Sequence, residues 1–427
     1  MCGGGAMKQA HANAEAYMAV PLVESSPGWL ARLNRDGKLR AVALVLPLAV
    51  FLFVFFALPL FNVLKAAVVN DAVKVGLPQT SKAISKWDGK SGVSPVIEQA
   101  VLKDAAWGSD NQDKFGDAVR QLNADLPGFR SLMAKTQRAV SNAEGSDALS
   151  LKLMEIDPRW SDSTYWLTIK RDSHVLTDNN LLAAVDMHRT ATGDVESLPD
   201  GTSANRLIIS RTFLVSFLVT LLCVAIGVPY ALIAAKATGW RRHLMLTMVL
   251  IPLWTSLLVR SAAWVVILQD HGVVNDTLVA IGAIAHPLQL IYNRTGVLLA
   301  MSQVLLPFMV LPVYSAIQAV PKNLMPAASS LGAKPLTAFT KVLLPLIFSG
   351  IVSGALLVFM SAIGYYITPT LVGGAGDQMI SSVIAFYATG TADWGRAAAL
   401  GLILLCATLV LYVAYARVSK SNALMGD

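Results

Sequence analysis

A carboxylate inside an apolar stretch is what a membrane carrier ordinarily uses to bind a coupling proton or ion. The second half of this chain has none. From residue 207 onward the acids are Asp270, Asp276, Asp377, Asp393 and Asp427, all outside the apolar stretches, and there is no Glu. The one charge within such a stretch is Arg260, in LIPLWTSLLVRSAAWVVIL. Trp264 lies one helical turn beyond it, and Trp254 lies near the start of the same stretch. Two roles stay open for Arg260. It is a functional position in a permeation path, or it sets helix register by pairing with a backbone carbonyl or a loop Asp. In either role a lone Arg is a poor partner for a cation. The sequence has no GxxxxGK[ST], so it has no P-loop of its own for ATP. Cys2, Cys223 and Cys406 form no CxxC or metal spacing, and His243, His271 and His286 are isolated. A protein without a coupling site is passive, or it borrows its energy from another chain.

Two further stretches have spacing that suits mechanics or contact. In PAASSLGAKPLTAFTKVLLPLIFSG, residues 326–350, Leu324, Ala327, Ala328 and Leu331 recur at helical spacing. Gly332 permits the left-handed turn that ends a helix. Pro335 suits the first turn of a second helix, to which Leu336, Phe339 and Leu343 give an apolar stripe. The reading is two amphipathic pieces hinged at Gly332 and joined to a long apolar helix. They dock on another surface or lie on the membrane. In GYYITPTLVGG, residues 364–374, Gly364 and Pro369 break a helix, and broken helices at membrane depth line cavities. Tyr365 and Tyr366 offer aromatic faces to an ammonium or anchor the chain at the membrane interface. Asp270, Asp377 and Asp393 are candidate outer-loop acids, for attracting cations or docking a partner.

These residues need helices to hold them. The chain is 55% hydrophobic and 14% charged, well below the charge content of soluble domains, and its mean hydropathy is +0.55. Six stretches are long and apolar enough to cross about 30 Å of hydrocarbon: 41–64, 212–235, 244–268, 296–318, 343–368 and 398–416. Lys236, Arg241 and Arg242, then Lys322, Lys334 and Lys341, then Arg417 and Lys420 fall in alternate loops, on the same side as the basic N-terminus. The positive-inside rule makes that side cytoplasmic. The net charge of +7 is thereby assigned to cytoplasmic loops, not to nucleic acid.

The predicted organisation is a cytoplasmic tail (1–40), a first membrane helix (41–65), an external insert (66–206), a five-helix core (207–418) with a cytoplasmic loop at 320–343, and a cytoplasmic tail (419–427). The insert is charged and cysteine-free. KFGDAVRQLNADL and FRSLMAKTQRAV read as amphipathic helices, whereas STYWLTIKR alternates and reads as a strand. The segment VVNDTLVAIGAIA, in the loop 270–295, reads as an interfacial or partly re-entrant helix.

The 326–350 stretch resembles the signature loop of ABC-importer permeases: EAA, a few residues, Gly, about nine residues, then an aliphatic residue shortly before Leu-Pro. Ala327, Ala328, Gly332, Val342, Leu344 and Pro345 match, and Pro326 stands at the Glu position. The segments LIPLWTSLLVRSAAWVVIL, IYNRTGVLLAM, LLPFMVLPVYSAI, GYYITPTLVGG and DWGRAAALG resemble the spermidine/putrescine branch, in the same order, over about 207–418. The resemblance implies an all-α polytopic membrane protein of the type I ABC-importer permease fold, with six transmembrane helices and a mixed, mainly helical external insert. It implies a polyamine-like solute, no catalysis and no cofactor on this chain, and ATP and Mg on a partner. The implied partners are a cytoplasmic ATPase dimer, a second and different permease chain, a periplasmic solute-binding protein and the lipid bilayer of the bacterial inner membrane. The implied coupling residues are Pro326, Ala327, Ala328, Leu331, Gly332, Ala333, Phe339 and Pro345. Trp254, Arg260, Trp264, Gly364, Tyr365, Tyr366 and Pro369 are the path candidates. Rival readings are a membrane-anchored receptor sensing through residues 66–206, an importer permease for an amino acid or organophosphonate, and an ATP-independent channel or carrier.

Overall fold

The computed structural model describes residue 42 and residues 44–143, 150–190, 194–199, 201 and 204–423. The expected tail at 1–40 and the last four residues of the tail at 419–427 lie outside the described residues. The chain divides into two units, residues 1–62 and 63–427. The first apolar helix, α1 (Leu44–Lys65), contains a π turn at Phe53–Ala57.

Residues after α1 fold into short helices: α2 (Ala72–Gly76), α3 (Pro78–Ile84), α4 (Pro95–Asp110), α5 (Gln112–Asp125), α6 (Phe129–Asn142), α7 (Leu153–Ile156), α8 (Ser163–Asp172) and α9 (Asn179–Ala184). A two-stranded antiparallel ribbon follows, β1 (Met187–Arg189) and β2 (Val195–Ser197). The insert has its own apolar core, built from residues including Leu77, Leu102, Leu122, Phe129, Leu132, Trp160 and Trp166. Both buried indoles are satisfied: Trp160 Nε1 donates to Thr136 Oγ1 at 3.1 Å and Trp166 Nε1 to the Trp160 carbonyl at 2.8 Å. STYWLTIKR is a helix, α8, and not the expected strand. Asp162 caps it by accepting from the Thr164 N–H at 2.8 Å, and Tyr165, Trp166 and Ile169 then share a buried face. An alternating pattern this short fits two or three turns of helix equally well.

Beyond the insert lie α10 (Asn205–Lys236), α11 (Gly239–Trp254), α12 (Leu257–Leu268), α13 (Val273–Ala280), α14 (Arg294–Ala319), α15 (Leu324–Ser330), α16 (Pro335–Ile363), α17 (Ile367–Val372), α18 (Ile380–Gly390) and α19 (Trp394–Ala423). Six stretches among the described residues are long and apolar enough to span: Leu44–Lys65, Asn205–Lys236, Leu257–Ala280, Arg294–Ala319, Pro335–Ile363 and Trp394–Arg417. In the second unit α10, α14 and α16 share one apolar cluster. Small residues allow the close approach. A Cβ on Gly350 would meet the Ala316 Cβ at 2.5 Å, and one on Gly354 the Met309 Sδ at 2.9 Å. Such contacts join helices in lipid, where burial alone supplies little drive.

The third span departs from the expected 244–268. The chain is extended at Thr255 and Ser256, so α11 and α12 are separate helices. Pro252 removes a helix hydrogen bond just before the break. Trp254 therefore ends a half-helix and does not begin the span. The fifth span ends at Ile363, with α17 a separate short helix after it. The sequence reading did not include α18. It is tied in by the Ile380 N–H donating to the buried Thr212 Oγ1 at 2.9 Å.

Candidate functional site

In the loop between α14 and α16, α15 ends as its residues dictate. Gly332 has φ +83°. The Ala333 N–H donates to the Ala328 carbonyl and the Gly332 N–H to the Ser329 carbonyl, each at 3.0 Å. This pair of bonds satisfies the last helical carbonyls. A Cβ on Gly332 would meet nothing within 4 Å, so the requirement is conformational, not steric. Pro335 opens α16. Leu331 is 90% exposed and Leu336 74% exposed. Pro326, Ala327 and Pro345 are also exposed, whereas Ala328, Ala333 and Phe339 are half-buried.

A π turn at Phe339–Leu343 lies just inside α16, closed by the Leu344 N–H on the Phe339 carbonyl. Pro345 follows directly. A proline ring clashes with the carbonyl four residues earlier in an α-helix, and the wider turn relieves that clash at Lys341. The same order occurs in α1, where the π turn Phe53–Ala57 precedes Leu58 and Pro59. The loop is thus a short helix on a glycine hinge, carried by a continuous helix into the membrane core.

The path candidates divide. Arg260, on the first turn of α12, donates from Nη2 to the Thr255 carbonyl at 3.0 Å, and its buried Nε has no hydrogen-bond partner. Trp264 Nε1 donates to Gln303 Oε1 on α14 at 3.2 Å. Ser261 and Thr368 hydroxyls meet at 2.8 Å in a buried contact, which joins α12 to α17. These bonds place Arg260 and Trp264 on a helix packed against the 364–372 segment. There Gly364 and Tyr366 are exposed, Tyr365 is half-buried and Pro369 is buried. Trp254 is 84% exposed at the end of α11.

The family described as "Binding-protein-dependent transport system inner membrane component" matches residues 227–423. The spermidine/putrescine transport system permease protein PotB of Escherichia coli (strain K12) is 32% identical over 213 residues, 50% of this chain and 78% of that protein. The chain belongs to this permease family. The molybdenum transport system permease protein ModB of Mycobacterium bovis (strain ATCC BAA-935 / AF2122/97) is 30% identical over 186 residues, 43% of this chain and 69% of that protein. A chain of the crystal structure of a bacterial alginate ABC transporter, in complex with an alginate pentasaccharide-bound periplasmic protein, is 20% identical. It covers 52% of this chain and 80% of its own, with a TM-score of 0.44.

The permease is a transport component and an all-α polytopic membrane protein. Its insert lies before the matched residues. Two of its three outer-loop candidates are engaged internally. Asp377 pairs with Arg294 at 3.4 Å, and Asp393 pairs with Arg396 at 3.3 Å while capping α19 through the Arg396 N–H. Asp270 is exposed and makes no ion pair among the described residues. The sequence reading missed Gln303, Ser261 and Thr368. Single polar residues inside apolar windows read as filler until their partners are known. No group of His, Cys, Asp and Glu suited to a metal occurs among the described residues.

Proposed function

We propose that this permease forms part of the translocation path of an ATP-driven importer for a small organic solute. Alternating access is driven through the 326–345 loop by a separate ATPase subunit. The observation that carries the reading is the loop itself. Exposed Leu331 and Leu336 flank a hinge of fixed geometry, and the helix beyond it runs into the centre of the helical core. A push on the loop is delivered to α16 and so to its packing on α14. The loop acts only if its partner binds it differently in different nucleotide states, because only differential affinity shifts an equilibrium.

In this reading both termini and the loop are cytoplasmic and residues 66–206 are periplasmic, in a bacterial inner membrane. The coupling residues are Pro326, Ala327, Ala328, Leu331, Gly332, Ala333, Phe339 and Pro345. ATP and Mg are held by an ATPase dimer. A second, different permease chain and a periplasmic binding protein complete the assembly. The solute is of the spermidine/putrescine kind, as the name of the relative PotB suggests. Tyr365 and Tyr366 offer faces to a passing ammonium. After residue 207 the carboxylates within the described spans are Asp270 and Asp276, beyond the end of α12 in Leu257–Ala280, and this reading leaves selection of a cation to the partner chains.

The test is Gly332→Val in cells that carry the whole transporter. A β-branched residue at this φ costs about 1–2 kcal/mol and reshapes the loop. Solute uptake should fall at least about tenfold, a change of 1.4 kcal/mol, or the ATPase should no longer co-purify. Unchanged uptake with normal ATPase recovery sinks the proposal.

A further inference from the structure

The insert contains a polar cluster for which transport, as proposed above, has no use. Asp125 ends α5, Arg171 and Asp172 end α8, and Asn179 begins α9. Arg171 donates from Nη2 to Asp125 Oδ2 at 3.0 Å and from Nε to Asp172 Oδ1 at 2.9 Å. Its Nη1 donates to the Arg189 carbonyl at 3.1 Å. The Asn179 amide donates to Asp125 Oδ2 at 3.1 Å and Asp172 Oδ1 at 3.4 Å. One guanidinium and one amide therefore serve two carboxylates. The Asp172 side chain is only 2% exposed, and its buried Oδ2 has no hydrogen-bond partner. A buried carboxylate oxygen without a partner, beside a second carboxylate, is a place for a proton.

Asp125, Arg171 and Asn179 of the cluster line a cleft of about 390 Å³ that reaches the ends of the membrane helices. The other charged and titratable groups on that cleft are His188, Arg189, Tyr387 and Arg396. Arg189 pairs with Asp178. The buried His188 Nδ1 has no hydrogen-bond partner. Arg396, on α19, pairs with Asp393 and donates to the Ala124 carbonyl at 3.3 Å, next to Asp125. The cation on Asp172 is therefore Arg171, which it shares with Asp125.

What the cluster holds is α9. Ala184 of that helix packs with Ala398, Ala399 and Leu400 of α19. Asn180 donates to the Ala66 carbonyl at 3.4 Å, and a Cβ on Gly395 would come within 2.5 Å of its amide nitrogen. We infer that Asp125, Arg171, Asp172 and Asn179 form a proton-operated latch. It grips α9, and through it the start of α19, when a proton is held between the carboxylates, and it loosens when that proton leaves.

Burial, then the charge of Asp125, pushes the Asp172 carboxyl up to about 7. A carboxyl raised in the folded state stabilises fully below its unfolded value of about 3.9. That contribution is lost as pH rises through about 7. The latch is therefore closed in mild acid and open in mild base. That the sensed proton comes from the periplasm rests on the topology proposed above; the latch itself does not.

The test uses the full chain in lipid nanodiscs. Hydrogen exchange at residues 177–190 is followed between about pH 5.5 and pH 8.5 and corrected for intrinsic rates. Protection in the wild type should fall by about tenfold, one decade of equilibrium constant. Asp172→Asn, which mimics the protonated carboxyl, should stay protected throughout. If that variant fails to fold, the carboxylic-acid C=O stretch of the wild type, followed by infrared over the same range, reads the same proton. Wild-type protection that is flat with pH overturns the latch, as does an Asp172→Asn variant that keeps the wild-type pH dependence or an acid band that never disappears. Topology is read separately, by labelling a Lys114→Cys variant in intact cells with an impermeant thiol reagent. Failure there moves the side on which the proton is sensed and leaves the latch standing.

Discussion

In the insert, the largest fully buried side chains are Trp160 and Trp166, with ring centroids 4.8 Å apart and planes tilted by 44°, and each indole N–H has an acceptor. In the helical core Gly350 and Gly354 make close helix–helix contacts, while Leu221, Phe217, Val259 and Leu409 stand exposed. The two regions answer to different solvents. In water, large apolar surfaces must be buried, and each aromatic side chain contributes heavily. In lipid the outer surface is satisfied as it is, so cohesion comes from close backbone approach and a few internal polar contacts. Ion pairs follow the same division. Asp157 in the insert is held by both Lys135 and Arg159 at 2.8 and 2.9 Å, whereas Arg260 in the core meets only a carbonyl.

The comparison is broken most directly by Trp166→Ala. We predict a loss of about 3–5 kcal/mol, confined to the insert. Limited proteolysis in nanodiscs should cut residues 66–206 and spare the core helices. Simultaneous loss of both regions would show that they are one cooperative unit. Gly350→Leu attacks the other mode of cohesion. Overpacking at the Ala316 contact should cost about 1–3 kcal/mol and lower the thermal midpoint of the core in lipid, with the insert's proteolytic pattern unchanged. An unaffected midpoint would mean that α14 and α16 separate freely. The smallest effect is expected from Ser261→Ala. Losing the contact to Thr368 should cost about 0.6 kcal/mol, the mean for such pairs between membrane helices. A loss several times larger would mark that pair as a structural keystone of the 364–372 segment.

The glycine-hinged loop was legible because its chemistry is local. Gly332 and Pro335 each dictate the conformation of their own residue, whatever surrounds them. The six spans were legible because hydropathy over twenty residues averages away detail. The break at Thr255–Ser256 was hidden by that same averaging, since the window stays apolar straight across it. The helix α18 was lost for a related reason: its eleven residues carry Ser, Thr and Tyr and never reach spanning length. The misreading of STYWLTIKR came from too few residues to separate a period of 2 from 3.6. The contacts of Gln303 and Thr368 required partners 39 and 107 residues away, and Asp125 meets Arg171 across 46 residues. No window along the chain contains such pairs.

The π turn at Phe339–Leu343 bears on how this permease tolerates change. Each residue of a helix advances the chain by about 100°, so the extra residue in the turn sets the azimuth at which Leu331 and Leu336 leave the membrane core. Deleting one residue there would leave the sequence of the apolar helix beyond Leu344 intact, while returning the Pro345 ring to the carbonyl clash that the wider turn relieves. It would also swing the loop by about 100° around the α16 axis. The span would still be long enough to insert, with the exposed leucines of the loop turned to another azimuth.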